Sequence, residues 1–336
     1  TWGLLMNKKL VAVAVAAGLA LPMVSAHAVD VADKKLEVYG KVHVAVQSND
    51  DALNTANDNW QVKSIDSRLG FKGAIPLDGG LTGTYKYEMG LDIADEPAND
   101  SGISRRNQYL GLKGGFGEVR IGRHDSPLKM AQGKFDLFGD TVGDIKFTGD
   151  QDGENRNDSS ITYLGKFDKL AVNVQLVPGE GDGVTSGNGI SDTTSIAVSY
   201  KDGPLYLAVA NDSYDSTGGA AEDSLTRFVA TYKMGSMQFG LLSQSGVEKP
   251  GTAADKEDWL GLSFAMKMGN NKLKFQHITV EDGASPAKES TNTSFGIDHK
   301  LGKKATVYAM YNTLEEKATT TSVDTSQLSV GYILKF

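Results

Sequence analysis

Residues 36–47 read LEVYGKVHVAVQ. Leu36, Val38, Val42, Val44 and Val46 fall on one parity, and Glu37, Lys41, His43 and Gln47 on the other. Alternation with period two is the mark of a strand with one apolar and one polar face. The C-terminal SVGYILKF (329–336) belongs to a second such segment, in which Leu328, Val330, Tyr332, Leu334 and Phe336 alternate with Ser329, Gly331, Ile333 and Lys335. If these two segments pair, neither is left as an open edge, which is what a closed barrel requires.

The sequence between them repeats the device. LTGTYKYEMGLDI (81–93) sets Leu81, Tyr85, Tyr87, Met89, Leu91 and Ile93 against Thr82, Thr84, Lys86, Glu88 and Asp92. Leu260, Leu262, Phe264, Met266 and Met268 alternate with Trp259, Gly261, Ser263 and Lys267. KATVYAMYNTL (304–314) is apolar on both parities, so its outward face stays open. Connections alternate in length. PLDGG, GGFGE, FDK, KDGP, MGS, MGNN and LGKK are short; SNDDALNTANDN, PGEGDGVTSGNG, YDSTGGAAED and their like are long and acidic. Short turns at one end and long loops at the other describe an all-β, antiparallel up-and-down transmembrane barrel, here of about sixteen strands. A soluble sandwich would use strands of ~5–6 residues, whereas these approach the ~10 that cross a bilayer at a tilt. No linker interrupts the pattern, and residues 29–336 read as one domain.

The start of the chain reads as export machinery. Met6 opens MNKK, the apolar run LVAVAVAAGLAL follows, and Ala26-His27-Ala28 fits small-residue cleavage after Ala28. Residues 6–28 are therefore expected to be a signal peptide, and 1–5 (TWGLL) an upstream extension or cloning scar. The run is too short for a membrane anchor. There is no cysteine, which excludes disulfides and thiolate metal sites. Formal net charge is -8, which argues against nucleic acid as a partner. Mean hydropathy is -0.29, and no later apolar run is long enough for a transmembrane helix. A barrel, apolar on one face only, has just such an average.

One connection breaks the rhythm. After EVRIGRHD the chain runs through SPLKMAQGKFDLFGDTVGDIKFTGDQDGENRND (126–158) before SSITYLGKF. Loops beyond ~12–15 residues are commonly functional. This one carries Leu128, Met130, Phe135, Leu137, Phe138, Val142, Ile145 and Phe147, too many apolar groups for a solvated loop. It is expected to pack on something, and a barrel offers its lumen.

LEVYGKVHVAV, SRLGFKG (67–73), YLGLKGGFGEVRIGR (109–123), FGDT (138–141), RNDSSITY (156–163) and the terminal Phe336 together resemble the general diffusion porins of Gram-negative outer membranes, in the same order. The resemblance implies a sixteen-stranded barrel that forms homotrimers, with a third loop (about 124–155) folded into each barrel to narrow it. Phe138, Gly139, Asp140 and Thr141 would be the loop tip, although Asp136 and Leu137 stand where the family has Pro and Glu. It implies a basic wall of Lys41, Arg68, Arg123 and Arg156 facing loop acids. Lys41 and Arg68 have inward parity. Arg123 shares the parity of Val119 and Ile121, so a bulge would be needed to turn it in, and Arg120 is the alternative. Asp136, Asp140 and Asp144 are the acidic candidates. Tyr332, Leu334 and Phe336 resemble the signal read by the barrel assembly machinery, and contact with outer-membrane lipid and lipopolysaccharide is implied likewise.

The function this implies is a passive outer-membrane pore for small hydrophilic solutes and ions, without cofactor. Its long acidic loops suggest weak cation preference. A substrate-specific channel, for example for oligosaccharides, is the alternative, and a surface-binding barrel a third. An enzyme is not expected. His43, His124, His277 and His299 show no metal spacing, and neither HExxH nor GxSxG occurs.

Overall fold

The computed structural model describes residues 29–31, 34–51, 59–94, 102–149, 153–179, 189–214, 223–247, 256–282, 288–318 and 322–336. The expected signal peptide at 6–28 and the extension at 1–5 lie outside the described residues, as do most of the long acidic connections.

The strand segments are β1 (Val29–Val31), β2 (Lys34–Asp51), β3 (Asn59–Ser64), β4 (Ser67–Pro76), β5 (Thr82–Leu91), β6 (Ile103–Gly114), β7 (Gly117–Asp125), β8 (Arg156–Phe167) and β9 (Leu170–Val177). They continue as β10 (Thr193–Asp202), β11 (Leu205–Tyr214), β12 (Asp223–Met234), β13 (Met237–Val247), β14 (Lys256–Met268), β15 (Asn271–Asp282), β16 (Lys288–Lys300), β17 (Ala305–Ala318) and β18 (Ser322–Lys335). β1 is a short addition paired with β2, and β3 and β4 both pair with β2 as two halves of one staved position. The result is a closed antiparallel barrel of sixteen strands. β18 closes it on β2, from Thr325 opposite Asp51 to Lys335 opposite Lys41.

The faces follow the period-two reading. Val38, Val46, Leu260, Leu262, Leu328 and Val330 are exposed on the outer face, while Lys41, His43, Gln47, Trp259 and Ser263 are buried inside. An outer row of directly paired aromatics, Tyr232, Phe239, Phe264, Phe275, Phe295 and Tyr311, crosses β12 to β17. It lies near the short-turn end, where an interfacial girdle belongs. Short turns use positive φ where the hairpin twist demands it, as at Gly235 (φ 59) and Gly269 (φ 61).

The ladders of β9 to β18 run in unbroken register. Those of β2 to β8 do not. Ile65 and Asp66 separate β3 from β4, β6 carries an extra residue opposite Glu88, and β8 an extra residue opposite Arg123.

The connection after β7 opens with helix α1 (Pro127–Ala131), capped by Ser126, whose Oγ accepts from the Lys129 N–H. It then packs on the inner faces of β10 to β17. Phe135 is fully buried, and a Cβ on Gly261 would lie 2.5 Å from its ring. Leu128, Ala131, Phe135 and Ile145 form one apolar core with Ala197, Ala208, Ala210, Val229, Leu242 and Ile278. Phe138 joins Ala45, Tyr308 and Met310 in a second. KATVYAMYNTL is thereby explained: Tyr308 and Met310 face inward onto the loop, and Tyr311 faces out.

Candidate functional site

The free inner face lies on β2 to β8, and its irregularities decide which charges it carries. A bulge turns its extra side chain toward the face its neighbour already uses. On β6 this sends both Arg106 and Asn107 inward. Arg106 donates to Glu88 at 2.9 Å and to Asp66 at 2.6 Å, and Asn107 donates to Asp125 at 2.7 Å. The break between β3 and β4 presents Asp66 to the same point. There it meets Lys41, Arg68 (3.0 Å) and Arg106. Glu88 receives Lys86 at 3.1 Å and the Tyr39 hydroxyl at 2.7 Å.

The loop tip makes its charged contact with this wall through one residue. Asp140 Oδ2 accepts from Lys41 Nζ at 3.3 Å. Asp140 holds a left-handed backbone (φ 70), a conformation that Asp tolerates better than most side chains. Its N–H is fixed by Asp144 Oδ2 at 2.6 Å, and Thr141 Oγ1 donates to the Phe138 carbonyl. Gly139 is exposed beside it. Phe138 is buried, with Lys274 Nζ 4.6 Å from its ring centre.

The three loop acids therefore differ. Burial disfavours ionisation of Asp140, but Lys41, Arg68 and Arg106 outweigh it and hold the carboxyl well below the usual range. Asp136 accepts from the Phe138 N–H at 2.8 Å. Its burial, helped by the Asp144 charge, pushes it up to about 8. Burial also raises Asp144, although the N–H groups of Lys146 and Asp140 oppose that. Asp136 and Asp144 shape the loop, and Asp140 presents the charge.

The remaining basic candidates sit apart from that cluster. Arg120 is inward and pairs with Glu118 at 2.9 Å, with its guanidinium 4.3 Å from the Tyr109 ring centre. Arg156 pairs with Asp125 at 2.8 Å at the root of the loop. Arg123 shares the parity of exposed Ile121 and pairs with Asp158 beside Arg105. The β8 bulge at that level does not turn it in, because the extra residue is on the opposite strand. Beneath the loop, Glu154 and Arg227 form a buried pair at 2.7 Å. Burial pushes Glu154 up to about 7 against the pull of Arg227 and Lys129. Asp66, Glu88 and Arg106 were not singled out from sequence. Glu88 did carry inward parity, as did Asp66 through Arg68, while Arg106 owes its direction to a one-residue irregularity.

Tyr332 and Phe336 are partly exposed on the outer face. Phe336 exchanges two backbone hydrogen bonds with Gly40, and its ring covers the place a Gly40 side chain would take. Among the described residues no group of His, Asp and Glu is arranged to hold a metal ion.

A family model described as Gram-negative porin matches residues 11–319. Outer membrane porin protein 32 of Delftia acidovorans is 26% identical over 321 residues, covering 90% of either chain. Among solved structures, the anion-selective porin from Comamonas acidovorans superposes with a TM-score of 0.76 at 21% identity, over 90% of this chain and 100% of that one. OmpT of Vibrio cholerae, in vitro folded and in trimer form, gives 0.66 at 15% identity, over 90% and 99%.

Proposed function

The chain belongs to the Gram-negative porin family and is an outer-membrane diffusion channel, and from that premise we propose that its throat lies where Asp140 of the loop meets Lys41 of the wall. The contact between Lys41 and Asp140 carries this reading, because it joins the inserted segment to the opposite face at a fixed point. Small hydrophilic solutes and ions pass beside it, down their gradients. Its relatives are channels rather than enzymes, and no chemical step is needed.

The charges act through their field. Arg and Lys face carboxylates across a narrow passage walled by protein, where attraction is damped less than in bulk water. A polar solute can orient in that field, whereas an apolar one loses water without compensation. The wall is close to balanced: Lys41, Arg68, Lys86 and Arg106 are interleaved with Asp66 and Glu88, and Asp140 adds a further acid from the loop. Lys41, Arg68, Arg106, Asp66, Glu88 and Asp140 set ion preference, while Arg120 and Arg156 line the path to either side. The long acidic loops then tip a nearly neutral throat toward cations. We assign the channel to a homotrimer, as the trimeric relative suggests, and Tyr332, Leu334 and Phe336 to recognition by the barrel assembly machinery.

Reversal potential in a KCl gradient tests the assignment. The expected wild-type value is small and on the cation side. Asp66→Asn uncovers three basic groups and should reverse its sign. A strongly anion-selective wild type, or an Asp66→Asn channel with unaltered reversal potential, would overturn the assignment.

A further inference from the structure

On the long-loop side of the throat, a cavity of about 440 Å³ lies between the descending half of the loop and the inner face of β2, β3, β17 and β18. Its lining differs in kind from the throat. Asn49, Asn59, Gln61, Asn312 and Gln327 supply side-chain amides, and Phe147, 49% exposed, supplies a ring. Asp50 is the one charged residue of the lining, and its parity is that of the outer face.

The amides are held in a chain. Gln327 Nε2 donates to Asn49 Oδ1, Asn49 Nδ2 donates to Asn59 Oδ1 at 3.2 Å, and Gln61 Nε2 donates to the same oxygen. Asn312 is fixed from behind by Asn292 at 2.6 Å and Ser294 at 2.9 Å. Gln327 Oε1 is buried and has no protein donor among the described residues.

Neutral amides do not concentrate ions. Each offers a donor and an acceptor a short distance apart, and the hydroxyl groups of a sugar offer the same. An exposed ring beside them suits the C–H face of a pyranose, and the volume falls within the range of small-molecule sites. We propose that this cavity is a binding subsite for neutral sugars of one or two rings, loaded from the long-loop side before the throat. The subsite rests on the pore reading only for how the sugar arrives and leaves.

The test uses maltose as the probe, added on the long-loop side of single channels in KCl, with a polyethylene glycol of equal hydrodynamic size as control. Maltose should reduce the current along a saturating curve, and the polymer should not saturate. Phe147→Ala and Gln327→Leu should each shift half-saturation upward by about three- to tenfold, as loss of one contact of ordinary strength implies. A reduction linear in concentration, equal for maltose and polymer, would overturn the subsite while leaving the pore intact. Absence of any KCl current would instead overturn the pore reading. In that case saturation-transfer NMR of maltose with the folded protein in detergent decides the subsite by itself, with binding weakened in both variants expected and no wild-type binding fatal to it.

Discussion

The two halves of the barrel wall do different work, and their inner faces differ accordingly. β2 to β8 carry charges inside and three breaks in register, at Asp66, at Arg106 and at Asp158–Ser159. β10 to β17 carry Ala197, Ala208, Val229, Leu242, Gly261 and Ile278 inside, and their ladders do not slip. The second half seats the loop on a mainly apolar face, with Arg227 buried against Glu154 beneath it, and the first is the charged wall the loop faces. Precision of position comes from packing on the regular half. Choice of charge comes from irregularity on the other, because a bulge changes which side chains enter the lumen without changing the strand count.

The largest effect should come from unseating the loop. Phe135→Ala removes a fully buried ring from a site that cannot collapse around Gly240 and Gly261. Its cost to loop packing should be about 3–5 kcal/mol. The ladder hydrogen bonds do not involve this ring, so the barrel should still form. Single-channel current should become larger and noisier, and protease should cut between α1 and β8. A quiet, wild-type channel would show that the seat does not hold the loop. Gly261→Val attacks the same contact from the wall, and overpacking should cost about 1–3 kcal/mol. Combined with Phe135→Ala it should cost less than the sum of the two, since the added methyls enter the space the ring leaves. Strict additivity would break the proposed seat.

On the charged wall, substitutions should alter selectivity and spare packing. Arg106→Gln leaves Glu88 and Asp66 with fewer partners, so cation preference should rise several-fold in reversal-potential measurements, with protease resistance of the loop unchanged. Loss of that resistance would mean that the halves are not separable.

The smallest effect is in pH, and it runs in opposite directions on the two sides. Asp140 is held below the usual carboxylate range, so its attraction to Lys41 is present above that range and is lost as pH falls through the depressed value. Glu154 and Asp136 are raised to about 7 and about 8. The seated loop therefore keeps protons that a released loop would give up. Their contribution to seating is complete below the ordinary carboxylate range and declines as pH rises toward those values. Loop proteolysis should accelerate severalfold between pH 5 and pH 8, and Glu154→Gln should flatten the lower part of that rise. Proteolysis that slows with rising pH would contradict the assignment.

Much of this was legible in the sequence. The faces of β2, β5, β14 and β18, the short turns and the apolar long connection all follow from period two and local turn chemistry, which need no knowledge of the fold. The loop acids were legible as residues but not as roles, because the basic groups of the wall that set Asp140 apart from Asp136 and Asp144 come beside it only once the loop is folded. Arg106 was not legible, since a single extra residue leaves no mark on composition. The outward face of KATVYAMYNTL stayed open for a related reason. A lumen that holds an apolar loop is itself apolar there, and the in–out alternation fades where Tyr308 and Met310 meet Phe138.

The seam between β2 and β18 also sets an order in time. Its pairs join segments from opposite ends of the sheet, and Phe336 locks against Gly40 at its foot. Apart from β7 and β8, each neighbouring hairpin can form from nearby sequence, but this contact requires nearly the whole chain, and distant contacts form late. Until it does, the growing sheet has two unpaired edges that lipid cannot satisfy. A chain halted before β18 is consequently not a narrower pore. It is an open sheet with two edges that lipid cannot satisfy, and closure removes both at once.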